Sequence, residues 1–178
     1  MREPNPFWSY SLKIYGVDAV ARACLALQDS WGADVNLLLY CCWLGHAGRT
    51  LDKRSLQMAI ARVSRLQTEV VKPLRQARRA LKKSPDGLPA ASVAELRKRL
   101  GALELDLEYL EQRLLADMAQ TLAPKMHPQP PRVATAASLV RYLALLGVPA
   151  GQVDGQIEPI LKFGCRLKVK APSRFRQD

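Results

Sequence analysis

At 178 residues the chain is long enough to bury a real core, and its formal net charge of +11 favours an anionic partner without saying anything about fold. Its 48% hydrophobic and 24% charged residues are ordinary for a soluble globular protein. The longest apolar run, Leu37 to Leu44, falls far short of the roughly 18–20 residues that span a bilayer, and no apolar signal core follows Met1; a cytoplasmic protein with no membrane span is expected.

β-branched alternating runs are nearly absent, whereas apolar residues recur at helical spacing in segment after segment, so an all-α protein is expected. Pro6 suits the first turn of a helix that Gly16 ends. Asp18 opens a second, with Val20, Ala23, Cys24 and Leu27 on one stripe. The stretch LQDSWGADVNLLLYCCWL, residues 27 to 44, then turns sharply at Gly32 and places Asp34 as the N-cap of a third helix. That helix is apolar on nearly all sides and is expected to be the buried centre of a bundle. Gly45, His46, Ala47 and Gly48 end it.

A long amphipathic helix follows from about Asp52 to Lys83, its seam formed by Leu56, Ile60, Val63, Val70, Leu74, Ala77 and Leu81, with only Gln67 interrupting. Pro73 predicts a kink or short break near Val70. The turn SPDGLP at Ser84–Pro89 leads to a second long helix that Ser92 and Glu95 open as a capping box. Val93, Leu96, Leu100, Leu103, Leu107, Leu110 and Leu114 alternate 3 and 4 apart, which predicts a coiled-coil-like antiparallel hairpin sealed by leucine. PKMHPQPP, Pro124 to Pro131, reads as a stiff extended linker. Thr135 then caps a helix ending near Gly147, and a last short helix runs from about Gly151 to Phe163.

The expected architecture is therefore a helical bundle around a central helix at about 34–46, with a long hairpin at about 52–83 and 92–121 and a short C-terminal helical pair. In domain terms, residues 1–164 form a single all-α domain with an N-terminal core (1–48), the hairpin (49–123) and C-terminal helices (132–164), followed by a flexible basic tail (165–178).

The positive charge is concentrated. Arg49–Lys83 carries eleven basic residues against two acidic, net +9, while Ser84–Pro124 is net −3. At ~100° per residue, Arg54, Arg65, Lys72, Arg75, Arg79 and Lys83 gather opposite the apolar seam, a ridge to which the tail adds Lys168 and Lys170. One reading is an electrostatic footprint for nucleic acid, a nucleoprotein or an acidic protein. The other is solubility, with the cations pairing to Glu104, Glu108 and Glu111. No aromatic residue lies between Arg49 and Lys83 to stack on bases.

Chemistry-bearing patterns are scarce. Cys24, Cys41, Cys42 and Cys165 show no C-x-x-C spacing, and adjacent Cys41 and Cys42 on a helix point ~100° apart; they read as buried hydrophobes in a reducing compartment. No phosphate loop, dinucleotide fingerprint, nucleophile elbow or metal-ligand pair is present, and no metal or cofactor is implied. The elbow alone could hold a catalytic or small-molecule site, from Asp29, Asp34 and Asn36 joined by His46. Against that, Asp34 caps, Gln28 and Asp29 end a helix, and Asn36 satisfies a crowded junction.

Phe7-Trp8, Ser11-Leu12, Tyr15, Ala23-Cys24-Leu25, Leu27-Gln28-Asp29, Gly32, and Asp34-Val35-Asn36-Leu37-Leu38-Leu39 through Cys42-Trp43 together resemble an uncharacterised family of small helical proteins, chiefly proteobacterial, that carries a domain of unknown function. The resemblance is close from Pro6 to Gly48 and thins to a pattern of helices and leucines by Gly147. It implies a bacterial cytoplasmic protein and brings no activity, cofactor or catalytic residue with it. The reading reached from the residues is a non-enzymatic interaction or adaptor protein that docks by its basic hairpin; the alternative is a small enzyme or small-molecule binder using the elbow.

Overall fold

In a computed structural model that describes residues 5–82, 87–122 and 126–164, the all-α expectation holds: every regular element is helical, and among the described residues the only extended pairing is one isolated bridge between Arg49 and Pro128. The elements are α1 (Pro6–Tyr15), α2 (Asp18–Trp31), α3 (Val35–His46), α4 (Lys53–Leu66), a π-helical turn (Gln67–Val71), α5 (Lys72–Ala80), α6 (Ala90–Leu122), α7 (Pro131–Leu145) and α8 (Ala150–Gly164). No helix among the described residues is long and apolar enough to cross a membrane.

α3 is the centre. Asn36 to Gly45 are all buried, and each large side chain so removed from water contributes roughly 1.5–3 kcal/mol. Phe7 of α1 stacks on Trp43 at 5.0 Å and tilts against Tyr40 at 5.7 Å, while α2, α6, α7 and α8 pack around the rest. The crossing with α7 is close because Gly45 has no side chain: a Cβ there would lie 2.2 Å from Thr135 Oγ1. One cluster of buried residues runs from Phe7 to Leu161, drawing on α1 to α4 and α6 to α8.

Two helix starts differ from expectation. α7 begins at Pro131, so Thr135 is not its cap but a buried residue of its second turn, whose hydroxyl donates back to the Pro131 carbonyl. α6 begins at Ala90, where the Pro89 carbonyl accepts from Val93; Ser92 lies inside the helix, ahead of any capping box. Proline at or before the first turn sets φ and needs no N–H partner, which outweighs the hydroxyl signal in both places.

The hairpin forms, with its seam turned. Ahead of Pro73, whose ring excludes a normal i−4 bond, the chain takes a π turn that inserts one residue into the helix. The inward face therefore moves from the expected Val70 and Ala77 to Val71, Arg75 and Arg78, the two arginines and Leu74 half-buried; Val70 is 42% exposed and Ala77 lies in solvent. α6 turns correspondingly. Its inward residues are Val93, Glu104, Glu111, Gln112, Leu115 and Ala119, whereas Leu96, Leu103 and Leu110 face out. Ion pairs, not leucines, seal this end: Arg78 grips Glu104 at 2.5 and 3.1 Å, and Arg75 reaches Glu108 at 3.0 Å and Glu104 at 3.6 Å.

Candidate functional site

α2 stops at Gly32, whose φ of 67° is a left-handed conformation that glycine adopts at no steric cost. Two residues later Asp34 caps α3, its Oδ1 accepting from the N–H groups of Asn36 at 2.8 Å and Leu37 at 3.4 Å. Its own N–H donates to the Tyr142 hydroxyl of α7 at 2.9 Å. The N-cap expected from sequence is in place.

Asn36 then faces inward as the one amide side chain on the buried length of α3, and it has partners. Its amide nitrogen donates to Glu111 Oε2 at 3.0 Å, and its oxygen accepts from Gln112 at 2.8 Å. Gln67, the residue that breaks the apolar seam, donates to the same Glu111 oxygen at 2.6 Å from the π turn. Glu111 is 0% exposed. Its Oε1 meets no N–H or O–H donor, and the Glu111 and Asp34 carboxyls lie within hydrogen-bonding reach of each other, a contact that needs a proton on one of them. Burial, then the charge of Asp34, accordingly push the Glu111 carboxyl up to about 9, and burial also raises Asp34. Both acids are raised and titrate together as one pair, burial being the first cause for each.

Above this cluster opens a cleft of about 510 Å³. One wall is the elbow, with Gln28, Asp29, Asp34 and Asn36; the other is α5, with Lys72, Arg75 and Arg79 at positions i, i+3 and i+7. Ile60, Val63 and Leu146 give it apolar surface. A neighbouring groove of about 480 Å³, lined by Trp8, Leu12, Tyr15, Leu25 and Leu105, shares Gln28, Asn36, Arg75 and Arg79 with it. Arg79 and Asp29, both well exposed, face each other across this shared edge at 3.8 Å.

The structure thus joins two sets of residues that the sequence kept apart. Asp29, Asp34 and Asn36 come together as the elbow reading required, and Lys72, Arg75 and Arg79 of the basic ridge face them. His46 does not join. It ends α3, a dozen residues and ~18 Å of helix from Asp34, with its ring 5.6 Å from Tyr10. The ridge itself is not a uniform exposed face: Arg75 is turned in and paired, Arg65 pairs with Glu69 at 3.0 Å in solvent, and Arg54 stands exposed on the first turn of α4. Lys83, Lys168 and Lys170 lie outside the described residues, as does the tail. Among the described residues Glu111 pairs with no cation, unlike Glu104 and Glu108, and is instead buried against Asn36 and Gln67; Gln112, Gln67 and Tyr142 were not foreseen. Their signal was present in part: one polar residue in each of two otherwise apolar faces, Asn36 and Gln67, demands a buried partner.

Among the described residues no group of three or more His, Cys, Asp or Glu side chains is placed to hold a metal. Cys24, Cys41 and Cys42 are free and buried, and burial pushes the Cys24 thiol up to about 12, far from a reactive thiolate.

Fold and site together define an all-helical protein with a charged cleft over a buried carboxyl–amide cluster. The chain belongs to the family described as a protein of unknown function (DUF2390), whose model matches residues 6–115. That span takes in Asp34, Asn36, Gln67, Glu111 and Gln112, while Tyr142 lies beyond it. No curated protein and no solved structure matches the chain.

Proposed function

We propose that this is a binding protein for a small ligand bearing an anionic group, held in the cleft between the elbow and α5. The observation that carries this reading is the convergence of the elbow residues with Lys72, Arg75 and Arg79 around one open cleft of about 510 Å³. Clefts of that size with a few convergent polar groups and perturbed carboxyls are where small ligands bind. Lys72 is exposed and able to meet an anion, and Arg79, also exposed, does so in exchange for its 3.8 Å contact with Asp29; Arg75 is already committed to Glu108 and Glu104 and supplies field and position. The free cysteines fit a reducing cytoplasmic setting.

The test is thermal unfolding of the full chain against a panel of small carboxylates and phosphate esters. A ligand at a hundred times its Kd adds about 2.7 kcal/mol of stability. The expected hit raises the melting point of the native protein and of Arg54→Ala, and fails with Lys72→Ala/Arg79→Ala. Stabilisation that survives the double substitution would place the ligand elsewhere and overturn the reading.

A second reading, a non-enzymatic adaptor docking on nucleic acid or a nucleoprotein, is favoured by Lys53, Arg54, Arg62 and Lys82, which remain exposed along α4 and beyond α5. It requires binding to labelled RNA or DNA that falls steeply with salt. No binding to either at low salt would exclude it and leave an acidic protein as the macromolecular partner.

A further inference from the structure

Beside the cleft, the second groove gathers exposed leucines from three helices. Leu12 of α1, Leu25 of α2 and Leu105 of α6 all line it, and all are exposed. Apolar residues left outside and collected around one concave surface mark a place where something binds. Trp8 and Tyr15 of α1 and Arg75, Arg78 and Arg79 of α5 supply more of the wall. Aromatic rings and guanidinium planes both stack on a flat ring. The groove's volume of about 480 Å³ lies in the range that holds small ligands.

Two polar side chains in the same lining say what such a ring carries. Ser11 is 3% and Gln112 2% exposed, yet the Ser11 hydroxyl and Gln112 Oε1 have no hydrogen-bond partner among the described residues. Buried polar atoms are nearly always satisfied, and each exception requires an account. Gln112 is held by its other end, where Nε2 donates to Asn36 at 2.8 Å, so its oxygen is a fixed acceptor. Each of the two atoms can accept from an N–H or O–H.

Groove and cleft adjoin. Gln28, Val35, Asn36, Arg75, Arg79 and Glu108 line both, and Arg79 stands exposed at the shared edge. An anionic head held there has its body beside the groove.

We propose that the ligand of the cleft is an aromatic acid with an O–H or N–H on its ring. Its carboxylate is held by Lys72 and Arg79, its ring lies in the groove lined by Trp8, Tyr15 and Leu25, and its ring donor meets Ser11 and Gln112. The inference rests on the cleft reading and adds to it the body of the ligand.

Isothermal titration of the full chain tests it with para-hydroxyphenylacetate, with phenylacetate, which lacks the donor, and with para-hydroxyphenylacetamide, which lacks the charge. The first is expected to bind about tenfold more tightly than either of the others, the worth of one hydrogen bond or one charge contact. Ser11→Ala removes an unpartnered hydroxyl, so it is expected to melt no lower than wild type and to erase the preference for para-hydroxyphenylacetate over phenylacetate. A Ser11 that served only the fold would lower the melting point and leave that preference in place. Leu25→Gln, at an exposed position, is expected to weaken both aryl acids alike. Binding lost in Lys72→Ala/Arg79→Ala but untouched by Ser11→Ala and Leu25→Gln would keep the anion in the cleft and overturn the groove. Binding untouched by Lys72→Ala/Arg79→Ala would overturn the cleft reading and this one with it. No binding of para-hydroxyphenylacetate, or equal affinity for phenylacetate, would overturn the aromatic acid while smaller anions still test the cleft.

Discussion

Replacing Glu111 by Gln tests the acid pair directly. The native carboxyl keeps its proton up to about 9, against 4.5 for an ordinary glutamate. Between those values the folded chain holds a proton that the unfolded chain has released, so the native state is progressively disfavoured as pH rises. Each pH unit well inside that window removes about 1.4 kcal/mol, and two units about 2.7 kcal/mol. A glutamine fits the same place without titrating: its oxygen accepts from Asn36 and Gln67 as Glu111 Oε2 does now, and its NH₂ donates to Asp34. Urea unfolding followed by circular dichroism, at steps from about pH 5 to pH 8.5, is expected to give equal stabilities at the acid end and a widening advantage for Glu111→Gln towards the alkaline end. Groups remote from Glu111 cancel in the difference, whereas Asp34 titrates together with Glu111, so the difference reads the acid pair. Parallel curves for the two proteins would mean that Glu111 is ionised in the fold, and the reasoning about the acid pair would fail. Glu111→Leu, which strands the Asn36 and Gln67 donors, is expected to lose about 1–3 kcal/mol per orphaned group at every pH.

Asp34→Ala removes both N-cap bonds of α3 and is expected to lower stability by about 0.5–2 kcal/mol in chemical denaturation; no loss would show that water replaces the cap. Gly45→Ala puts a Cβ 2.6 Å from Thr135 Cα, and a cost of about 1–3 kcal/mol or more is expected from the forced separation of α3 and α7, read as a lowered melting point. Leu115→Ala, at a fully buried site, is expected to cost about 2–5 kcal/mol. Leu103→Ala is expected to fall within about 0.5 kcal/mol of wild type, and the reverse order would return the leucine seam to the interior.

The centre of the fold was legible because local and global signals agree there. Gly32, Asp34 and an apolar run on every face can only be a turn, a cap and a buried helix, and α3 is that. The hairpin was legible as two helices but not as an interface. A heptad of leucines states that α6 has a packing face; it does not state which surface meets that face. The partner helix decides, and the π turn before Pro73 hands α6 the arginines of α5, which glutamates satisfy better than leucines can. The cleft was half legible. Asp29, Asp34 and Asn36 were marked as one place and Lys72, Arg75 and Arg79 as another, and only the folding of α5 over the elbow merges them. Glu111 was hidden by its position between Leu110 and Gln112 in a helix rich in acids, where nothing in the period separates a solvated glutamate from a buried one. His46 was drawn in by chemistry alone, and α3 carries it away.

The π turn also makes the wiring of the protein depend on how the chain winds rather than on its composition alone. Gln67–Val71 holds one residue more than an α-helix would use, and everything after it is set by that surplus. The same residues wound as a plain α-helix, without the π turn, would rotate α5 by ~100° about its axis. Val70, Leu74, Ala77 and Leu81 would then look towards α6, and Arg75 and Arg78 would leave Glu104 and Glu108 behind. The same amino acids thus encode two hairpins, a greasy one and a salted one, and the winding of Gln67–Val71 selects the salted one.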